Sequence, residues 1–334
     1  MDAIRLDAVG ELSTLEVVEP TCGPGEVLLE VEAAGVCGSD VGAYRGKAAY
    51  EFLTHPRILG HEYVGTVTAV GERVEGLAPG DRVVELPLSA CGRCPPCRHG
   101  AENVCEDVRV TGFHHDGAFA ERLTAPARRL HGIPDGLSAN RAAMIEPLAV
   151  AYRGIVEIGA VAPGERVLVL GPGPIGSLVA LLAARAGAQV VLAGLPRDRA
   201  RLDRLEGSPV ETTELSADAT PPGGFDVSVD ATGSPEGPAT AVTAARNGGR
   251  VVLLGIPPGP VTIDGTATVR GQKQLHSSYS ATATDFERVI ALQTGTRSIP
   301  VEELATVYAP GEPTAAFEAF AGGDVIKPIF RFDG

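Results

Sequence analysis

The 334-residue chain has no tryptophan, two methionines and 4% aromatic residues. Lysine occurs at positions 47, 273 and 327 only, so arginine supplies 25 of the 28 basic residues. Against these stand 42 acidic residues, for a net charge of -14. That shortage of positive charge excludes the basic footprint of non-specific nucleic-acid binding. It also opposes docking on anionic lipid. No uninterrupted apolar run reaches the roughly 18 residues that span a bilayer. The opening Met-Asp-Ala-Ile-Arg-Leu lacks the basic and then apolar pattern of a secretory signal. The expectation is a cytoplasmic protein with neither a nucleic-acid nor a membrane partner. Six cysteines are too few for a disulfide scaffold in a chain of this length.

What is present is ordinary globular chemistry, 44% hydrophobic and 21% charged, long enough for about two domains. To about residue 140, short valine-rich runs alternate with glycine and proline. Val27–Val31 and Gly65–Val70 read as strands, and Gly80–Val84 as a turn entering a third. The pattern changes near Ser138. Residues 138–158 carry apolar side chains at helical spacing, and Arg166–Leu170 is a continuous apolar run suited to a strand buried on both faces. A helix over Ile175–Ala186 and strands at Gln189–Ala193, Phe225–Asp230 and Arg250–Gly255 follow, and Thr284–Leu292 reads as a later helix. Strands alternating with helices predict an α/β protein with a doubly wound parallel sheet behind a mostly-β region.

Gly171-Pro172-Gly173-Pro174-Ile175-Gly176 lies between the first such strand and its helix. The first glycine suits a tight turn, the second close approach of backbone to a pyrophosphate, and the third helix-on-strand packing. Thr232, Leu254, Gly255, Ile256 and Ser278, after the later strands, are expected to complete the dinucleotide site. The second strand ends at Gly194, where an NAD site usually carries an acidic residue for the ribose 2′-hydroxyl. Here no carboxylate repels a 2′-phosphate, and Arg197 and Arg199 follow, so NADP is expected in preference to NAD.

Cys91, Cys94, Cys97 and Cys105 offer four thiolates within fifteen residues. This spacing suits a closed tetrahedral zinc site of structural type, with an iron–sulfur cluster as the alternative. Cys22 has no assigned role. A second constellation is dispersed: Cys37 in Cys37-Gly38-Ser39-Asp40, and His61-Glu62 in Gly60-His61-Glu62-Tyr63-Val64-Gly65. His55, His99 and His131 read as ordinary surface or core residues.

Gly60-His61-Glu62-x-x-Gly65-x-x-x-x-x-Gly71-x-x-Val74 resembles the signature of the zinc-containing medium-chain alcohol dehydrogenases. The Cys-Gly-Ser-Asp segment, the four-cysteine lobe and the glycine turn occur in the order found in that family, and the resemblance covers almost the whole chain. It implies a GroES-like catalytic domain over 1–145 with a structural zinc lobe at about 90–106 and a Rossmann domain over 146–275. Residues 276–334 would return to the catalytic domain, and the active site would lie in the cleft between the domains. Ile145-Glu146-Pro147-Leu148 resembles the polyol and sugar dehydrogenase branch. By resemblance, Cys37 and His61 are catalytic zinc ligands and Glu62 is a third. Glu146 is either a ligand or a partner of the zinc-bound water. Ser39 would take the first step of proton relay, Asp40 would hold the loop, and Gly42 departs from the histidine common in that branch. Phe113, His114 and His115 resemble a loop lining the substrate cleft. Tyr279 follows the last Rossmann strand, with Ser278 where the sorbitol-type branch commonly has arginine.

These features imply two zinc ions per chain and hydride transfer between NAD(P) and a polyol, sugar or related secondary alcohol. A threonine-type amino-alcohol dehydrogenase and a non-catalytic nucleotide-binding or redox-sensing protein are the alternatives. The resemblance also implies a homodimer or homotetramer, with Arg250–Ile256 near the interface.

Overall fold

The computed structural model describes residues 1–216, 222–296 and 298–332. The chain forms two compact units, the first from Met1–Glu146, Ala281–Ala321 and the residues from Lys327 onward. The second takes Pro147–Ser280 and Gly322–Ile326. The expected change of domain at 275/276 falls inside a strand, Gln274–Ser277, and the chain leaves the second unit after Ser280.

The first unit is organised on Glu26–Gly35. Its alternating Val27, Leu29, Val31 and Ala33 are buried on one face, the period of a pleated strand. The seven-stranded sheet runs Leu130–Gly132, Arg82–Glu85, Glu62–Val70, Glu26–Gly35, Lys327–Arg331, Ala305–Tyr308, with Arg122–Pro126 also paired along Glu26–Gly35. The strand expected from Gly65 therefore begins earlier, at Glu62. Gly35 stands between Glu62 on one side and Ile329 on the other, so the ladder holds the C-terminal strand one strand away from the segment after His61. A smaller antiparallel sheet holds Asp2–Ala8, Glu11–Glu16 and Arg57–Ile58.

Three fully buried phenylalanines join distant parts of this unit. Phe119 meets Phe330 edge-on at 5.3 Å between ring centroids and Phe317 at 6.1 Å. Such pairs add to the area they bury.

The second unit is a six-stranded parallel sheet in the order Glu211–Glu214, Gln189–Gly194, Arg166–Leu170, Phe225–Asp230, Ala245–Leu253, Gln274–Ser277. Counted along the chain this is 3-2-1-4-5-6, the dinucleotide-binding order. Val167, Leu168 and Val169 are buried, as a central strand covered on both faces requires. Ala245–Leu253, which holds Arg250, is an interior strand, and Gln274–Ser277 lies beyond it at the edge of the sheet. The single helix expected over 138–158 is broken into Ala139–Ala143, Ile145–Tyr152 and a π-helical Arg153–Ile158. Pro147 has no N–H to continue the helical ladder across Met144, which explains the first break.

Phe330→Ala removes the ring that clamps the returning strand. It is expected to cost about 3–5 kcal/mol in equilibrium urea unfolding, and a loss below about 1 kcal/mol would mean that the strand is held by its backbone ladder alone.

Candidate active site and metal centres

Cys37 leaves the Glu26–Gly35 strand in extended conformation and caps the short helix Gly38–Tyr44. Its N–H donates to Asp40 Oδ2 at 2.8 Å. Gly60 carries φ +96°, and a Cβ on Gly117 would overlap its carbonyl oxygen, so glycine contacts place the turn that presents His61. His61 Nδ1 lies 3.6 Å from Asp40 Oδ1, and Nε2 lies 3.4 Å from Ser39 Oγ. Glu62 follows at the start of its strand. One ligand atom each from Cys37, His61 and Glu62 lies within 4.8 Å of the others. Glu146 is buried nearby at the start of Ile145–Tyr152, outside that closest group.

The electrostatics are those of a site short of positive charge. Burial, and then the Glu62 charge, hold the Cys37 thiol well above its ordinary range. Burial, with Glu62 beside it, pushes Glu146 up to about 7, and burial also raises Asp40. Lys327 offsets part of this. It is 1% exposed, its ammonium donates to Glu62 Oε2 and to Val36 O, and the Glu62 charge raises its pKa against the opposing effect of burial. Asp40 Oδ1 and His61 Nδ1 are buried without a hydrogen-bond partner among the described residues. A thiol, an imidazole and carboxylates gathered in this way fit a divalent cation such as zinc, whose charge would reverse the penalty on the thiolate.

The four-cysteine lobe stands on a stem of two paired segments, Leu88–Ser89 and Arg109–Val110. Its four sulfurs lie within 4.8 Å of one another, and all six cysteines of the chain are unpaired thiols. Backbone N–H groups of Cys91 and Asp107 donate to Cys105 Sγ, and that of Cys94 donates to Cys91 Sγ. The N–H groups of Arg93 and Cys94 pull Cys91 down to about 6, while burial and the Cys94 sulfur push Cys97 up to about 12. Sulfurs crowded together and offered N–H donors fit a bound metal in place of four free thiols.

In the second unit Gly171 has φ +95°, and a Cβ on Gly176 would overlap the Gly171 carbonyl. Gly173 faces open space before Pro174 opens the helix Pro174–Arg185, which contains Ile175. Backbone and open space at a helix N-terminus fit a pyrophosphate. Gly194 is buried: a Cβ there would stand 2.9 Å from Pro172 and 3.0 Å from Asp198. Arg199 is held by Asp203 at 2.7 Å and Glu214 at 3.0 Å. Arg197 is exposed with no such partner among the described residues. Thr232 rests against Gly171 and bonds Asp230 Oδ1 through both N–H and hydroxyl. The N–H groups of Leu254 and Gly255 donate to Asp230 O, Ser278 N–H donates to Leu253 O, and Ile256 is exposed. The Ser278 and Ser280 hydroxyl oxygens and His276 Nε2 are buried without hydrogen-bond partners among the described residues.

Phe113 is buried 5.5 Å from the His61 ring, and His114 stacks on Phe52 at 5.2 Å. Burial and Arg109 lower the pKa of His114, and its Nδ1 accepts from Val110 N–H. His115 Nδ1 lies 3.3 Å from Asp116 O, and Tyr279, in the second unit, is 45% exposed. Two residues near the metal group escaped the sequence reading. Lys327 is one, although a lysine inside Val-Ile-Lys-Pro-Ile-Phe was a usable signal. Tyr50 is the other. Its ring stacks on Phe113 at 5.6 Å and fills the space a side chain on Gly42 would need.

Comparison with known proteins agrees with this geometry. The family model of the alcohol dehydrogenase GroES-like domain matches residues 23–135, and that of the zinc-binding dehydrogenases matches 174–294. L-galactonate-5-dehydrogenase of Escherichia coli K12 is 36% identical over 278 residues, 81% of this chain and 80% of that protein. L-threonine 3-dehydrogenase of Deinococcus radiodurans is 32% identical over 100% of this chain and 98% of its own. Sorbitol dehydrogenase of Halalkalibacterium halodurans is 31% identical over 96% and 95%. Among solved structures, an alcohol dehydrogenase from Escherichia coli CFT073 complexed with NADH superposes with TM-score 0.89 at 30% identity, covering 99% of both chains. A zinc-binding dehydrogenase from Sinorhizobium meliloti 1021 bound to NADP does so with TM-score 0.89 at 31% identity, covering 99% and 98%. The chain belongs to the zinc-containing medium-chain alcohol dehydrogenase family. It is a zinc-dependent, NAD(P)-dependent dehydrogenase.

Metal analysis of the purified protein is expected to find two zinc ions per chain. Cys37→Ser is expected to retain one, and a Cys37→Ser chain that still held two would remove the first group as a metal site.

Proposed function

We propose that the enzyme oxidises the secondary hydroxyl of a polyol, sugar or related alcohol, with Cys37, His61 and Glu62 holding the catalytic zinc and Glu146 beside it. The grouping of those three donor atoms, with buried Glu146 near enough to feel the Glu62 charge, carries this reading. Zinc supplies Lewis acidity toward the hydroxyl, and the dinucleotide supplies the hydride acceptor. Ser39 would take the hydroxyl proton, a role supported by its nearness to the grouped donors, its Oγ being 3.4 Å from His61 Nε2. Asp40 Oδ1 stands 3.6 Å from His61 Nδ1, and Lys327 fixes one oxygen of Glu62. Phe113 and Tyr50 form an apolar wall suited to the C–H face of a sugar and to keeping water out.

Within the first unit the charged groups that act on Glu146 are Glu62, Asp40, His61 and Lys327, and Lys327 is already bonded to Glu62. Because that lysine is committed to Glu62, it is not free to clamp an amino acid's carboxylate, which favours a neutral polyol or sugar, although threonine dehydrogenases are among the relatives. The grouping of Cys37, His61 and Glu62 apart from the four-cysteine lobe favours catalysis over a non-catalytic nucleotide-binding protein.

Four-cysteine zinc in the lobe is assigned a structural role. Gly171, Gly173, Pro174, Ile175 and Gly176 would cradle the pyrophosphate. Arg197, with Gly194 leaving out a carboxylate, would favour NADP, while Arg199 is committed to Asp203 and Glu214. A homodimer or homotetramer paired through the Gln274–Ser277 edge, in the cytoplasm, completes the proposal. The described residues contain no helix long and apolar enough to cross a membrane.

The test follows reduced nicotinamide over neutral polyols, aldoses, sugar acids and threonine, with NADP and NAD in parallel. Turnover is expected with neutral polyols or sugars, and turnover confined to threonine would reverse the substrate assignment. Arg197→Ala is expected to lower kcat/KM for NADP about tenfold, a loss of about 1.4 kcal/mol, with little change for NAD. Equal losses for both cofactors would remove Arg197 as the phosphate partner.

A further inference from the structure

We infer that Glu85 is a positioning residue that couples the four-cysteine lobe to the catalytic metal site; the inference rests on the zinc reading of both. Glu85 ends the strand Arg82–Glu85, which pairs with Glu62–Val70 through Val84 and Val64. Its side chain is 1% exposed and joins three chain segments. Tyr63 Oη donates to Oε2 at 2.9 Å, Thr111 Oγ1 donates to Oε1 at 3.1 Å, and Arg129 Nη2 pairs with Oε1 at 2.6 Å. Tyr63, Thr111 and Arg129 are themselves almost fully buried.

Each partner belongs to a different part of the machinery. Tyr63 follows Glu62 and stands two residues from His61. Thr111 follows the second stem segment of the lobe and precedes Phe113 by two residues. Arg129 donates to Pro87 O at 3.3 Å, directly before the first stem segment, and Leu86 N–H donates to Arg129 O at 2.9 Å. Thr111 N–H closes the base of the stem on Pro87 O at 3.1 Å. Both ends of the stem therefore lead to the catalytic group, one through Glu85 and Tyr63 and the other through Phe113, 5.5 Å from the His61 ring.

A buried ion pair of this kind is weak evidence of stability, because apolar residues of similar volume do as well. Its directional bonds do something an apolar cluster cannot, which is to hold the stem and the His61 segment in one register. A lobe disordered by loss of its metal releases Thr111 and Pro87. Glu85 and Phe113 then lose their fixed positions, and so does the metal-binding strand.

Release of the two metals from the holoenzyme to a chromophoric chelator separates these effects. It is combined with the visible absorption of enzyme carrying cobalt at the Cys37 site. Tyr63→Phe deletes one hydroxyl and keeps the ring, and Glu85→Gln keeps the shape and deletes the charge. Each is expected to speed release from the Cys37 site about tenfold, the low end for an outer-shell partner, and to shift the cobalt bands. Cys97→Ser is expected to speed the same release, with no further gain when combined with Tyr63→Phe, the non-additivity of a shared path. Wild-type release and unshifted bands in Tyr63→Phe and Glu85→Gln overturn the inference, whether or not Cys97→Ser folds. Full additivity overturns it too. A wild-type chain holding fewer than two metal ions overturns the zinc reading itself.

Discussion

The first unit depends on the buried charge of Lys327. Lys327 lies 265 residues from Glu62, yet its ammonium meets that carboxylate and the Val36 carbonyl with both side chains 1% exposed. Taking either ion out of water costs several kcal/mol, and removing one partner leaves the other charge uncompensated. Mutual attraction offsets this only if the geometry is held from outside. The backbone ladder does so, because Gly35 faces Glu62 on one side and Ile329 on the other. Glycine at 35 is part of the device, since a Cβ there would stand 2.8 Å from Glu62 Oε2. The C-terminal strand thus supplies the ammonium that compensates Glu62, one of the three grouped candidate ligands. Phe119, Phe317 and Phe330 hold that closure without adding charge.

Legibility in the sequence followed the range of the interaction. The glycine turn, the four cysteines and the His61-Glu62 pair are local patterns whose chemistry is contained in a few consecutive residues. Alternating apolar runs located the central strands for the same reason. The edge strand Glu211–Glu214 was missed and Gln274–Ser277 was left without bounds because their side chains are mostly polar and exposed or half-exposed, and neighbours supply their order. Lys327, Tyr50 and the Glu85–Arg129 pair escaped because their meaning lies in partners far along the chain. Pro147 was visible, but its break in the expected long helix was outweighed there by the apolar periodicity around it.

Gly194 shows how an absence read from sequence gains a physical reason. The lack of a carboxylate first stood as a statement about cofactor choice. Packing adds that a side chain at that point would have to displace Pro172 and Asp198. Asp198 is turned to the Leu195 N–H at 3.0 Å, so its charge serves the turn. The two arginines after Gly194 looked equivalent in sequence and are not, because Asp203 and Glu214 neutralise Arg199 in place.

The lobe poses the converse problem, a segment with almost nothing to fold around. Between Cys91 and Cys105 the chain is rich in glycine, proline and arginine, and Cys94, Asn103 and Cys105 are its buried residues. Three side chains cannot offset the conformational entropy of fifteen residues at about 1–2 kcal/mol each. Bound metal is the missing term, since its binding free energy is folding free energy for such a segment. The stem then joins an element ordered by metal to a sheet ordered by apolar burial. Where two such elements meet, polar groups must be satisfied in a fixed direction, and a fully buried Glu85 accepting from Tyr63, Thr111 and Arg129 meets that demand.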